Sequence, residues 1–114
     1  MKKRADFQKV RETGRSKVGR FLVLSTLEDS TLPHLMVAYI TTKKIGKAHD
    51  RNLVRRRLRS IVQHDLARIT DPLRYLVLIA RYNAVSASFA ELQQDWTKLT
   101  SRLGLFTPPA NSAA

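Results

Sequence analysis

The chain has no cysteine, four glycines, four prolines and nine acidic residues against 21 lysines and arginines, over 114 residues. Without cysteine there is no disulfide framework, no thiolate metal site and no thiol nucleophile, which fits a cytoplasmic location. No stretch reaches the roughly 18 to 20 consecutive apolar residues of a membrane span, and Met1–Arg4 leads into mixed residues instead of the apolar run of a signal peptide. The three histidines, His34, His49 and His64, are scattered without metal-ligand spacing, and His64 beside Asp65 reads as a helix-surface pair, not a catalytic dyad. The run KKIGK at Lys43–Lys47 lacks the repeated glycines and the terminal Ser or Thr of a phosphate-cradling loop. Nothing here makes a catalytic or metal site. If the chain serves an enzyme, the reactive groups are expected elsewhere.

The shortage of acid leaves a formal net charge of +12. Such an excess favours a polyanionic partner, nucleic acid above all. It is concentrated in TKKIGKAHDRNLVRRRLR, Thr42–Arg59, where Lys43, Lys44, Lys47, Arg51, Arg55, Arg56, Arg57 and Arg59 face only Asp50. Gly46 offers freedom for a sharp turn, and Asp50 suits the positive end of a helix that starts beside it. At 100° per residue from Arg51, the side chains of Val54, Leu58, Ile61, Val62, Leu66 and Ile69 cluster within about 70° of one direction. That stripe is expected to face a core. Arg55, Arg59, Asn52 and Arg56 fall together between about 40° and 140°, with Arg51 beside them. The arginine forks match phosphate in pairs, the Asn52 amide adds a neutral contact, and the three lysines add point charges.

Elsewhere the pattern predicts a single small domain over residues 1–104, with a disordered tail over 105–114, FTPPANSAA following Leu105. Asp6 is placed as cap of a short helix, Phe7–Glu12, with Phe7 and Val10 on one face and Gly14 as a left-handed stop. RSKVGR then reads as a basic linker. Phe21–Leu27 and His34–Thr41 read as strands of an antiparallel hairpin, with a further short strand fitting inside Leu35–Ile45. The long helix is expected to end near Thr70, before Pro72. Tyr75–Ala80, apolar throughout, reads as a strand covered on both faces. Ser88 and Glu91 have capping-box spacing ahead of Phe89, Leu92, Trp96, Leu99 and Leu103, which repeat at helical intervals up to Gly104. The resulting order, α-β-β-(β)-α-β-α, is an α+β sandwich with a mostly antiparallel sheet. Phe7, Phe21, Tyr39 and Tyr82 are candidates for stacking on unpaired bases; Phe21 and Trp96 suit the core, and Tyr39 fits either role.

The stretch Thr42–Arg59 resembles the signature of the bacterial ribonuclease P protein subunit, and DFQKV, FLVL and LVLIAR followed by a capped helix extend the likeness over nearly the whole chain before the tail. The resemblance implies a small basic protein, monomeric in a 1:1 complex with a catalytic RNA. It would bind that RNA and the 5′ leader of precursor tRNA, and so assist endonucleolytic removal of the leader. Hydrolysis is then the work of Mg2+ held mainly by the RNA, and no catalytic or metal-binding residue is assigned to the protein. The resemblance further implies a left-handed crossover around the signature helix. By position it assigns RNA contact to Lys43, Lys44, Lys47, Arg51, Asn52, Arg55, Arg56 and Arg59, and a leader cleft between sheet and first helix to Phe7, Arg11, Phe21, Tyr39 and Arg81. Two departures stand out: Leu53 replaces the middle arginine of the signature triplet while Arg57 stands where an apolar residue is usual, and Arg11 stands where relatives place an aromatic, so leader binding would rest more on charge than on stacking. A ribosomal or RNA-chaperone type of general RNA binder is the alternative reading of the same charge.

Overall fold

A computed structural model describes residues 4–69 and 72–106, with side chains from Gln8 onward. Its elements in order are α1 (Arg4–Thr13), β1 (Arg15–Val18), β2 (Leu22–Glu28), β3 (Met36–Ile40), α2 (Ala48–Asp65), β4 (Arg74–Ala80) and α3 (Phe89–Leu103). The α+β class and the element order are as the sequence predicts; the strand pairing is not. The sheet runs β1-β2-β4-β3, so β2 and β3 are separated by β4 and form no hairpin. The physical reason lies in β4, whose RYLVLIA is buried along nearly its whole length and so takes a central place. The hairpin is made by β1 and β2 instead. The supposed linker is therefore the additional strand, closed by a turn in which the Gly19 N–H donates to the Leu22 carbonyl at 2.7 Å. β3 pairs parallel with β4 through a crossover that carries α2.

Alternation along the strands divides the side chains between two faces. Leu22 and Leu24 of β2, Leu76, Leu78 and Ala80 of β4, and Val37 and Tyr39 of β3 point toward α2 and α3. Val54, Leu58, Ile61 and Val62 supply the α2 side of this core, and Leu92, Trp96, Leu99 and Leu103 the α3 side. On the other face α1 inserts Val10 against Tyr75 and Val77, while Leu27, Met36, Ile40 and Ile79 stay partly exposed.

Helix ends follow their local chemistry. α1 begins at Arg4, ahead of the expected Asp6 cap. Gly14 does not take a left-handed conformation; positive φ occurs at Gly46 and Gly104. At Gly14 glycine is needed for closeness, since a Cβ would collide with the carbonyl oxygens of Val10 and Thr26. α2 gives way after Asp65 to a 3-10 turn, Leu66–Arg68, and the expected end at Thr70 lies outside the described residues. α3 has the predicted capping box: the Glu91 N–H donates to Ser88 Oγ at 3.1 Å and the Ser88 N–H to Glu91 Oε1 at 2.9 Å. Its stripe starts at Leu92, because Phe89 is half-exposed. Past Gly104, Leu105 is fully buried and Phe106 bridges Ile69 and packs edge-on against Trp96. Packed structure thus extends two residues beyond the expected boundary.

Candidate nucleic-acid interface

The loop before α2 is shaped by one buried residue and one glycine. Ile45 is 5% exposed and its N–H donates to the Thr42 carbonyl at 3.0 Å, closing a turn that leaves Lys43 and Lys44 in solvent. Gly46, at φ +149°, then redirects the chain into the helix, and a Cβ there would strike the Asp50 carboxylate. Asp50 turns back to accept the Lys47 N–H at 3.2 Å, so the sole acid of the stretch is engaged as a helix cap. Arg51 Nη1 donates to the Gly46 carbonyl at 3.3 Å, bracing the same corner.

Along α2 the phasing read from sequence holds as far as Val62: Val54, Leu58, Ile61 and Val62 are buried, while Asn52, Arg56 and Arg59 are exposed and Arg55 half-buried; Leu66, expected in the same stripe, is exposed because the helix tightens into a 3-10 turn there. Arg55 Nη2 donates to Asn52 Oδ1, which orients both groups on one flank. Arg59 carries its guanidinium carbon 5.8 Å from the centre of the Tyr39 ring. Arg57 leaves the flank altogether. Its Nη1 donates to the Ala87 carbonyl at 3.0 Å, tying α2 to the turn before α3. One structural bond thus accounts for the arginine that stands out of pattern. Leu53, which takes the place of the signature arginine, is half-buried.

The residues expected in one leader cleft are not brought together. Phe21 is 7% exposed and belongs to the core shared with α2 and α3, with the Arg20 guanidinium 5.0 Å above its ring. Tyr39 points to the α2 face, opposite α1, and its hydroxyl pKa is pushed up by burial, against the pull of nearby Arg59. Arg81 donates through Nη1 to the Gly19 carbonyl at 2.8 Å, which places it in the β1–β2 turn. Arg11 is exposed on α1, and the Phe7 side chain lies outside the described ones. The reason is parity: a strand's alternation fixes which residues share a face, whereas the covering helix is set by strand order.

Two acids organise the scaffold: Asp95, which sequence reading passed over, and Asp65, which it read as a helix-surface partner of His64 but which is buried against Trp96. Asp95, 6% exposed, accepts the backbone N–H groups of Arg20, Phe21 and Leu22 at 2.9 to 3.0 Å. Asp65, equally buried, accepts the Trp96 indole N–H at 2.9 Å and lies 3.2 Å from His64 Nδ1. The sequence signal for Asp95 was an acid at the edge of the α3 apolar stripe. Among the described residues no group of three or more His, Cys, Asp or Glu gathers as a metal cluster. No helix among them is long and apolar enough to cross a membrane.

A family model described as Ribonuclease P matches residues 1–104. The chain belongs to the ribonuclease P protein family. It is 33% identical over 106 residues to the ribonuclease P protein component of Syntrophomonas wolfei, covering 93% of this chain and 87% of that one. To the ribonuclease P protein component of Thermus oshimai it is 39% identical over 99 residues, covering 87% of this chain and 60% of that longer one. Its fold is similar to the Staphylococcus aureus RNase P protein, with a TM-score of 0.84 and 25% identity over 94% of this chain and 96% of that one. Ribonuclease P membership gives the chain the role of a protein subunit of the endoribonuclease that matures tRNA 5′ ends, with an RNA partner in the assembled enzyme.

Proposed function

We propose that the protein grips the catalytic RNA of ribonuclease P through the flank Lys43, Lys44, Lys47, Arg51, Asn52, Arg55, Arg56 and Arg59. The observation that carries this reading is the exposed cationic flank with its lone acid, Asp50, engaged as a helix cap. Each phosphate neutralised there releases counterions, so affinity falls steeply with salt. Such contacts set position and orientation without reading bases. The 5′ leader of precursor tRNA passes over the part-covered sheet face beside α1, where Arg11 is exposed and Met36, Ile40 and Ile79 are partly so. Phe7 remains in that proposal by its place on α1; Phe21, Tyr39 and Arg81 leave it.

The one acid of the flank, Asp50, is engaged as a helix cap and leaves no carboxylate set for a metal there, so magnesium in this reading stays with the RNA and supplies the hydrolytic chemistry. The protein's residues hold and orient the two RNAs, as a monomer bound 1:1 and in the cytoplasm. The test is reconstitution. Purified protein added to ribonuclease P RNA should stimulate 5′ cleavage of precursor tRNA at low magnesium, while protein alone should leave the substrate intact. Absence of stimulation across a magnesium series overturns the reading.

A further inference from the structure

The cationic flank of α2 does not simply fade into solvent. One turn beyond Arg59 it reaches Gln63, and there a groove of about 320 Å³ opens between α2 and β3, lined by His34, Leu35, Val37, Tyr39, Gln63 and Leu66, with Arg59 at its rim. Its size is at the lower end of the roughly 300–1,000 Å³ typical of small-ligand sites. β3 is the edge strand of the sheet, so the groove is open along one side.

Its walls combine an aromatic ring, a cation and two polar groups. Tyr39 is half-buried, held by the core on one side. The Arg59 guanidinium is 5.8 Å from the ring centre, at the outer edge of the roughly 6 Å range of a cation–π contact, and it sits on a long stem. His34 Nδ1 lies 2.8 Å from the Leu35 carbonyl. A carbonyl can only accept, so Nδ1 carries the proton and Nε2 of the neutral ring is left as an acceptor. Gln63, exposed, offers both an amide donor and an acceptor. Leu66, 38% exposed, adds an apolar floor that the fold leaves uncovered.

We infer that this groove takes one unpaired nucleobase of the RNA held on the α2 flank. The base stacks on Tyr39 and Leu66, Gln63 and His34 meet its polar edge, and Arg59 swings from above the ring onto the phosphate of the same nucleotide. The occupant follows from charge: the groove continues a row of arginines separated by single helical turns, which an anionic strand already follows. The groove thus adds an uncharged contact to a mainly electrostatic interface. This inference rests on the proposed α2 flank and goes one step past it, from phosphates to a base.

The experiment uses the full-length protein with ribonuclease P RNA, alone and with precursor tRNA. Tyr39→Leu keeps an apolar side chain against the core, and Tyr39→Phe keeps the ring. Loss of the stacking ring should make Tyr39→Leu bind RNA about tenfold more weakly, while Tyr39→Phe stays near the parent. Because no counterion is released by stacking, the salt slope of Tyr39→Leu should be unchanged, in contrast to Arg55→Glu. A photoreactive benzoylphenylalanine at position 63 should crosslink to one unpaired nucleotide. Affinity unchanged in Tyr39→Leu, or a crosslink to paired RNA or to a second copy of the protein, overturns the base pocket. If Arg55→Glu still loses affinity in that case, the flank survives; if it too is unaffected, the underlying reading fails.

Discussion

The two faces of the sheet are built to different standards. On the α2–α3 face, leucines from two strands and two long helices close over Trp96, which is fully buried and hydrogen-bonded to Asp65. On the α1 face, the buried apolar cluster among the described residues is Val10, Tyr75 and Val77, and their neighbours Met36, Ile40 and Ile79 keep part of their surface in water. The first face is where the fold's stability is concentrated. The second is covered by a single ten-residue helix, too short to be stable without its packing. Exposed apolar surface is tolerated there, which suits a face that meets another molecule.

Unequal burial predicts unequal cost. Leu58→Ala, on the well-packed side, should lower stability by about 2 to 5 kcal/mol. Val77→Ala, under α1, should cost about 1.5 kcal/mol by loss of apolar burial alone. Urea unfolding of both variants measures the difference; equal costs would erase the distinction between the faces. Asp95→Ala tests how α3 is fastened to the sheet, since it strips the acceptor from three backbone N–H groups at the start of β2. A loss on the order of 3 kcal/mol is expected. Asp95→Asn should recover only part of it, because one acceptor oxygen and the charge are lost.

The charged flank should behave in the opposite way. Arg55→Glu combined with Arg56→Glu removes two phosphate contacts and no core packing. Stability should stay within about 0.5 kcal/mol of the parent. The slope of log affinity for ribonuclease P RNA against log salt should flatten by about 1.4 to 1.8. Arg57→Ala is the matched control: its guanidinium is bonded to the Ala87 carbonyl, so it should lose stability by about 1 kcal/mol and leave the salt slope in place. A flattened slope for Arg57→Ala would return that residue to the RNA-binding set.

What could be read from the residues was local. The α2 stripe, the Ser88–Glu91 cap, the Gly46 and Gly104 turns and the two-sided burial of β4 each follow from spacing within about one element. β1 escaped because RSKV is exposed at every position and shows no alternation. The pairing of β3 with β4 escaped because it joins segments more than 30 residues apart, and no turn motif specifies it. The cationic flank was legible since a helix's phase is intrinsic to it. The cleft was not, because assigning Tyr39 and Phe21 to a face requires the strand order first. Buried Asp65 and Asp95 follow the same rule: their partners, Trp96 and the backbone of residues 20–22, come from other elements.

The smallest expected effect compares one carboxylate on each side of the sheet. Glu91, at the start of α3, is held below its ordinary value of 4.5 chiefly because the Ser88 backbone N–H donates to it, with Arg20 a weak partner. Asp29, whose partner Lys9 lies on α1, is held below 3.8 chiefly by the Thr31 hydroxyl and then by the Thr31 N–H. A carboxyl with a lowered folded pKa favours the native state above its unfolded pKa and loses that contribution as pH falls through the folded value. Both therefore steepen the loss of stability on the acid side and leave neutral pH flat. Glu91→Gln and Asp29→Asn should each make the decline below about pH 5 shallower. Hydrogen exchange separates the two sites: Glu91→Gln should loosen the first turn of α3, and Asp29→Asn the amides of α1. Because α3 is anchored by Leu92, Trp96 and Leu99 beyond its cap, its fraying should stop within one turn. α1, with Val10 as its buried anchor among the described side chains, should open along its whole length.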